Sequence, residues 1–337
     1  MSTVETLQDL VPDRRIGDAA RRLARDTPLV QLLALVLIFG YGAVTLTGFA
    51  SAVSIKSMLL ISAFLGLAAI GQTILVLVGQ LDLSVPGFIG LGNVLLLLLV
   101  GEYHWPFALA LLLVLAVSGL SGSVSGLLCY LFQVESIVVT IGMNFALMGL
   151  LDLIGPRALN LTAPAWLTRF ASVTGTTGGV DVPPILVLWL IVAIVVALVL
   201  RRTVIGRHVY LTGANPAAAR LALVPTARVV IGAFALSAVA AAGTGVLLAG
   251  YIGGANPQVG TPYLFSSITA IIVGGTALGG ARGDYWRTVI GALMLTIVNT
   301  VLLAHGGSAA QQQVLYGLII LLVGMVYGRE PRLRDRV

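Results

Sequence analysis

Residues 184–202 read PILVLWLIVAIVVALVLRR. From Pro184 to Leu200 there is no charge, and the run stops at Arg201-Arg202. About 20 apolar residues in a helix cover the hydrocarbon thickness of a bilayer. In lipid each backbone N–H and C=O must find its partner inside its own segment, so such a run is a helix. The arginine pair marks the side that stays in the cytoplasm. Similar runs recur on both sides of this one, at 29–47, 58–79, 86–100, 106–131, 137–155, 228–249, 263–280, 288–304 and 312–327. With 184–200 they make ten candidate spans, so the fold class expected is all-α, a polytopic helical bundle in a membrane. The third run is short, and 58–100 reads either as two crossings or as a broken, re-entrant helix.

Composition agrees. Of 337 residues, 58% are hydrophobic and 9% charged, against about 25% charged in soluble domains. The net charge of +6 reads as retention of arginine on one side of the membrane. No basic stretch is interleaved with aromatics, so nucleic acid is not an expected partner. Cys129 is alone, which removes disulfides within the chain and any cysteine-based metal site. His104, His208 and His305 are far apart and match no ligand spacing. The basic lead and first apolar run resemble a signal peptide, but the 28-residue polar lead is long and the run is long enough to span. A retained first helix is expected.

The cations orient the bundle. Arg14, Arg15, Arg21, Arg22 and Arg25 precede the first span. Arg201, Arg202, Arg207, Arg220 and Arg228 lie between the sixth and seventh, Arg282 and Arg287 between the eighth and ninth. Arg329, Arg332, Arg334 and Arg336 follow the tenth. With the N-terminus inside and ten spans, all sixteen face the cytoplasm, leaving Lys56, Arg157 and Arg169 outside. Removing one span from the first six would split the sets. The expected organisation is a cytoplasmic segment 1–28, a transmembrane domain 29–327 with an internal loop 201–228, and a cytoplasmic tail 328–337.

Candidate residues follow from what is unusual in an apolar chain. Asp82 lies in Gly79-Gln80-Leu81-Asp82-Leu83-Ser84-Val85-Pro86-Gly87. Ionisable groups at membrane depth are costly and usually face a cavity or a partner. Asp82 therefore either caps the next helix and satisfies freed N–H groups, or meets a solute or gate. Asn93, Asn144 and Asn299 sit inside apolar runs, where interhelical hydrogen bonding and a pore-facing role are both open. Asn215-Pro216-Ala217-Ala218-Ala219-Arg220-Leu221-Ala222 reads as a short helix with a marked start. So short a helix is marginal alone and needs something to dock on. Gly71, Gly79 and Gly87 bracket one Gly-rich break, and Gly243, Gly250 and Gly260 bracket another at Tyr251–Val259. Two breaks at the ends of oppositely directed helices are what inverted repeats give, with a solute path between them. Lys56 has no Gly-rich loop before it, so no P-loop is present. Active transport would need an ATPase on another polypeptide.

At these residues the chain resembles the permease subunits of bacterial ABC importers for monosaccharides of the ribose/xylose/arabinose type. Beyond about residue 55, five ordered stretches carry the likeness. They are Gly71-Gln72-Thr73 with Gly79–Val85, Thr140-Ile141-Gly142-Met143, and Gly206-Arg207 with Gly213–Arg220. The others are Ile272–Gly283, and Gly291-Ala292-Leu293 with Asn299. Pro86 stands where the family usually has Gly, Met143-Asn144 where it has Thr, and Leu221–Pro225 differs at the exit of the short helix.

The resemblance implies a second permease copy, cytoplasmic ATP-binding subunits carrying ATP-Mg, and a periplasmic or lipid-anchored sugar-binding protein. No cofactor is implied for this chain. It places the protein in the bacterial inner membrane, with both termini cytoplasmic. It implies that Gly213, Asn215, Pro216, Ala218, Ala219 and Arg220 belong to a coupling segment that rests on the ATPase. The translocation path is expected to draw on Asp82, Ser84, Asn93, Thr140, Asn144, Asn256, Thr276 and Asn299. Nucleoside and branched-chain amino-acid permeases share this architecture. An ion-coupled secondary transporter would need intramembrane carboxylates, for which Asp82, Glu135 and Asp152 are the candidates. A membrane enzyme would need clustered His, Asp or Glu.

Overall fold

A computed structural model describes residues 29–277 and 279–327, with side chains as far as Leu322. The segments 1–28 and 328–337, with the nine arginines expected there, lie outside the described residues.

Each of the ten expected spans is a helix. In chain order, α1 is Leu29–Thr45, α2 Ala52–Val78, α3 Val85–Leu97 (extended by a wide turn at Leu98–Glu102), α4 Phe107–Phe132 and α5 Ser136–Ala158. A short α6, Ala165–Ala171, lies in the loop before α7, Pro184–Arg202. Between α7 and the next long helix come α8, Val204–Ala214, and α9, Pro216–Leu221. The chain continues through α10, Thr226–Ile252, α11, Tyr263–Val273, α12, Tyr285–Ala304, and α13, Ala309–Tyr327. Among the described residues, seven helices are long and apolar enough to cross a membrane, and three more (α1, α11, α13) are shorter apolar helices.

Two differences from expectation have local causes. The eighth run was expected to continue to residue 280, but α11 stops at Val273 because Gly274-Gly275 follows, with Gly275 at φ +90°. Hydropathy does not register that backbone turn. The loop 201–228 holds α8 as well as the short helix. Thr203 closes α7 and opens α8, its Oγ1 accepting from the Gly206 N–H at 3.3 Å.

The centre of the bundle is the crossing of α2 and α10, both 27 residues long. Where α10 meets α2 and α3 a side chain would not fit. A Cβ on Gly71 would lie 2.0 Å from Ser237 Cα, one on Gly92 2.0 Å from the Ala242 carbonyl oxygen, and one on Gly245 1.9 Å from that of Ile89. In lipid, packing rather than water exclusion holds helices together, and small residues supply it.

The neighbours of α2 and α10 are exchanged between halves. Helix α10 packs on α3 and α4, while α2 packs on α11 and α12; α3 contacts α4 and α5, as α11 contacts α12 and α13. Both central helices end on a left-handed glycine, Gly79 at φ +84° and Gly253 at φ +81°, and each is followed by a loop and a short helix. This pattern is the one inverted repeats produce.

Candidate functional site

The first break runs from Gly79 to Ser84. At its start the Gly79 N–H donates to the Val76 carbonyl (3.0 Å) and the Gln80 N–H to that of Leu75 (2.8 Å), closing α2. The next N–H groups have no helical partner, and buried backbone groups must find one. Helix α5 supplies three of them. Ser136, Thr140 and Asn144 are spaced four apart, on one face of a helix. Ser136 Oγ accepts from the Leu81 N–H (3.1 Å), Thr140 Oγ1 from that of Leu83 (3.0 Å) and Asn144 Oδ1 from that of Gly87 (3.0 Å). The Asp82 N–H donates to Gln72 Oε1 on α2 (3.1 Å).

Asp82 is 2% exposed. Its Oδ1 accepts from both the N–H (2.8 Å) and the hydroxyl of Ser84, and its Oδ2 accepts from the Ser237 hydroxyl on α10 (2.7 Å). One carboxylate thus closes the turn that starts α3 and ties it to the opposite half. Pro86, in the first turn of α3, lies where its missing N–H costs no helical bond.

The second break, Gly253 to Pro262, is tied in the converse direction. Asn93 on α3 accepts from the Asn256 N–H through Oδ1 (2.8 Å), and Asn256 Oδ1 accepts from the Gln258 N–H (2.9 Å). The breaks approach each other, since a Cβ on Gly260 would lie 2.2 Å from the Pro86 carbonyl oxygen.

The structure therefore gathers Asp82, Ser84, Thr140 and Asn144 around the first break, and Asn93 with Asn256 around the second. Thr276 is buried elsewhere, under Gly283. Asn299 donates to the Tyr316 hydroxyl on α13. Three members of the first cluster were not among the expected path residues: Gln72, which the sequence offered only inside the Gly71-Gln72-Thr73 stretch, Ser136 and Ser237. The four-residue spacing of Ser136, Thr140 and Asn144 in an apolar run was a usable signal for Ser136. For Ser237, 155 residues from Asp82, no local signal exists.

A third cluster forms at the end of the molecule that holds the first break. The Ala281 N–H donates to the Leu77 carbonyl (2.8 Å), and Gly213, at the end of α8, fits against that same carbonyl. The Tyr210 hydroxyl donates to the Gly283 carbonyl (2.8 Å), and Arg201 pairs with Asp284, which caps α12 by accepting from the Arg287 N–H (3.0 Å). Burial pushes the Tyr210 phenol up from its ordinary value, and the nearby Asp284 carboxylate adds to that. Tyr210→Phe is expected to loosen this joint by about 1 kcal/mol, the net worth of one hydrogen bond. A fall in the protein's melting temperature of a few degrees would register it, and an unchanged value would show the bond idle.

Helix α9 projects from this cluster. Asn215 Oδ1 accepts from the N–H groups of Ala217 (3.0 Å) and Ala218 (3.1 Å), and Pro216 occupies the first helical turn. Ala219 is 3% exposed and faces its own bundle, while Ala218 and Arg220 are exposed, with Leu221 (87%) and Leu223 (91%) beside them. At the other end of the molecule Lys56 pairs with Asp181, Arg157 with Glu102, and Thr162 bridges to Gly254. Among the described residues, Arg201 and Arg287 thus lie at the first of these ends, and Lys56 and Arg157 at the other.

Long apolar helices around two broken helix pairs define a polytopic helical membrane protein. The chain belongs to the family described as branched-chain amino acid transport system / permease component, whose model matches residues 54–324. It is a transporter subunit and not an enzyme. The chain is 33% identical over 296 residues to the probable ABC transporter permease protein YphD of Escherichia coli K12, covering 87% of this chain and 86% of that one. It is 30% identical over 298 residues to the fructose import permease FrcC of Rhizobium meliloti (87% and 83% covered). To the ribose import permease RbsC of Escherichia coli K12 it is 30% identical over 264 residues (77% and 80% covered). No solved structure matches the chain.

Proposed function

We propose that this chain forms the membrane corridor of an ABC importer for a small sugar. The observation that carries the reading is the exposed helix α9 and its seat. Helix α9 starts just after Gly213, Gly213 lies on Leu77, and Leu77 is two residues from the glycine that opens the first break. A push on α9 therefore reaches the break through packed backbone. The fructose and ribose import permeases among the relatives support a sugar as cargo.

In this reading 201–228 is the cytoplasmic coupling loop of the domain 29–327, and 1–28 and 328–337 are cytoplasmic as well. Ala218 and Arg220, with Leu221 and Leu223, meet the ATP-binding subunit. Asn215 and Pro216 set the helix direction, Ala219 holds it to the bundle and Gly213 transmits its movement. ATP-Mg stays on that subunit. The breaks are the moving parts of the path: Asp82, Ser84, Thr140 and Asn144 hold the inner one, Asn93 and Asn256 the outer one. Thr276 and Asn299 flank the path, and their side-chain oxygens Oγ1 and Oδ1 have no partner among the described residues. A second copy would cover the exposed apolar face of α5, which carries Val138, Phe145 and Leu153. An extracytoplasmic binding protein would deliver the sugar at the end that holds Asp181, Glu102 and the second break, in the bacterial plasma membrane.

The test is uptake into proteoliposomes containing the chain, its ATP-binding subunit and the loaded binding protein. ATP-dependent accumulation of a labelled sugar is expected, and accumulation driven by a proton gradient without ATP would overturn the reading. Ala218→Glu is expected to reduce uptake at least tenfold and to release the ATPase on purification, with the chain still in the membrane. Normal ATPase retention in that variant would remove α9 from the contact.

A further inference from the structure

A second polar feature lies beside the second break. A recess of about 210 Å³ opens between the end of α5 and the second break. Its polar wall is Asp152, Asn256 and Gln258, and its apolar floor includes Leu151, Leu159 and Pro257. The walls are brought together by small residues. A Cβ on Gly155 would meet the Pro257 ring at 2.7 Å, and one on Gly90 would lie 2.5 Å from the Pro257 carbonyl oxygen.

Asp152 is exposed, and among the described residues its side chain has neither an ion pair nor a hydrogen bond. Arg157, the cation closest to it in sequence, is committed to Glu102 and Tyr103. A carboxylate facing hydrocarbon is costly, so this part of α5 meets water or a polar solute. The two amides also have capacity to spare. Asn256 uses its Oδ1 on Gln258 and keeps its Nδ2, and the Gln258 side chain has no partner among the described residues. The recess thus offers one acceptor-only group and two amides, with C–H surface beneath them.

That combination fits a neutral polyhydroxylated solute, whose hydroxyls donate to Asp152 and exchange both kinds of bond with the amides. The volume lies below the ~300 Å³ at which sites for drug-sized ligands begin, which favours a molecule of monosaccharide size. The larger hollow in the bundle, lined by residues such as Leu67, Leu111, Trp166 and Val192, is almost wholly apolar and offers a hydroxylated solute nothing. Resting on the import reading above, we infer that Asp152, Asn256 and Gln258 form a shallow reception site where the sugar leaves its binding protein and enters the path. With no aromatic platform and few partners the site is weak. Weakness suits it, because a tight site would hold the cargo.

The experiment uses the full complex in proteoliposomes, with labelled ribose and fructose as probes and loaded binding protein outside. Asp152→Ala and Gln258→Ala are each expected to lower ATP-dependent uptake about five- to tenfold, the worth of one or two hydrogen bonds in the entering state. ATP hydrolysis stimulated by the binding protein is expected to stay near the wild-type rate, so that more ATP is spent per sugar. Asp152→Asn, which keeps an acceptor, should fall between. Wild-type uptake in both alanine variants would overturn the site while leaving the import reading intact. A loss of uptake that tracks only a loss of paired permease copies would reassign Asp152 to the contact between copies, and the site would fall. If the wild-type complex accumulates no labelled monosaccharide under ATP, from a panel that includes ribose and fructose, the import reading fails and the reception site with it.

Discussion

Gly213→Ala is expected to leave the chain in the membrane and to abolish ATP-driven uptake, a loss of at least tenfold. The added Cβ would lie 1.8 Å from the Leu77 carbonyl oxygen and 3.0 Å from the Ala281 nitrogen. Those two atoms are themselves bonded at 2.8 Å, so neither can retreat without breaking the bond. Overpacking of flexible side chains costs about 1–3 kcal/mol, but here both neighbours are backbone and the end of α8 has to move instead. Helix α9 follows it, and the joint between the exposed helix and the first break opens. Membrane levels, ATPase retention and uptake separate the outcomes. Normal levels and retained ATPase with lost uptake would place the fault in transmission. Wild-type uptake would show that the push does not travel through Gly213. A variant that never reaches the membrane would be replaced by Tyr210→Phe, which loosens the same joint without adding a Cβ.

The bundle was legible in the sequence because lipid makes one demand of every spanning segment, and run length answers it. Ten runs gave ten helices, and the glycines near the breaks located the ends of α2 and α10. Polar residues in an apolar chain were equally visible, so Asp82, Asn93, Asn144 and Asn256 could be named one by one. Their partners could not. Nothing near Asp82 announces Ser237, and nothing in the second half shows that Asn256 answers to Asn93, because these bonds exist only once the halves cross. The end of α11 was misplaced for a related reason. Residues 274–280 are hydropathically like a helix, yet Gly275 and Gly280 have positive φ and turn the chain towards Gly213 and Leu77. What the sequence conceals is thus the contact between halves, where a coupled movement has to be carried.

Asp82→Ala is expected to have the second large effect, on assembly before transport. Three donors lose their acceptor at once: the Ser84 N–H, the Ser84 hydroxyl and the Ser237 hydroxyl, with Ser84 and Ser237 each 1% exposed. A buried unsatisfied donor costs about 1–3 kcal/mol, whereas a cross-helix bond in a membrane averages only ~0.6 kcal/mol. The larger part of the loss therefore falls on the Ser84 turn that starts α3, and the smaller on the tie to α10. Ser237→Ala removes only the tie and is expected to cost much less. Asp82→Asn separates shape from charge. Its oxygen can still accept from Ser84, and its amide can donate to a Ser237 hydroxyl that turns to accept. If Asp82 is a clamp, the asparagine variant assembles and imports at close to the wild-type rate while the alanine variant is lost from the membrane. An asparagine variant that assembles fully but carries nothing would sink the clamp, and would make the carboxylate's charge part of the transport step.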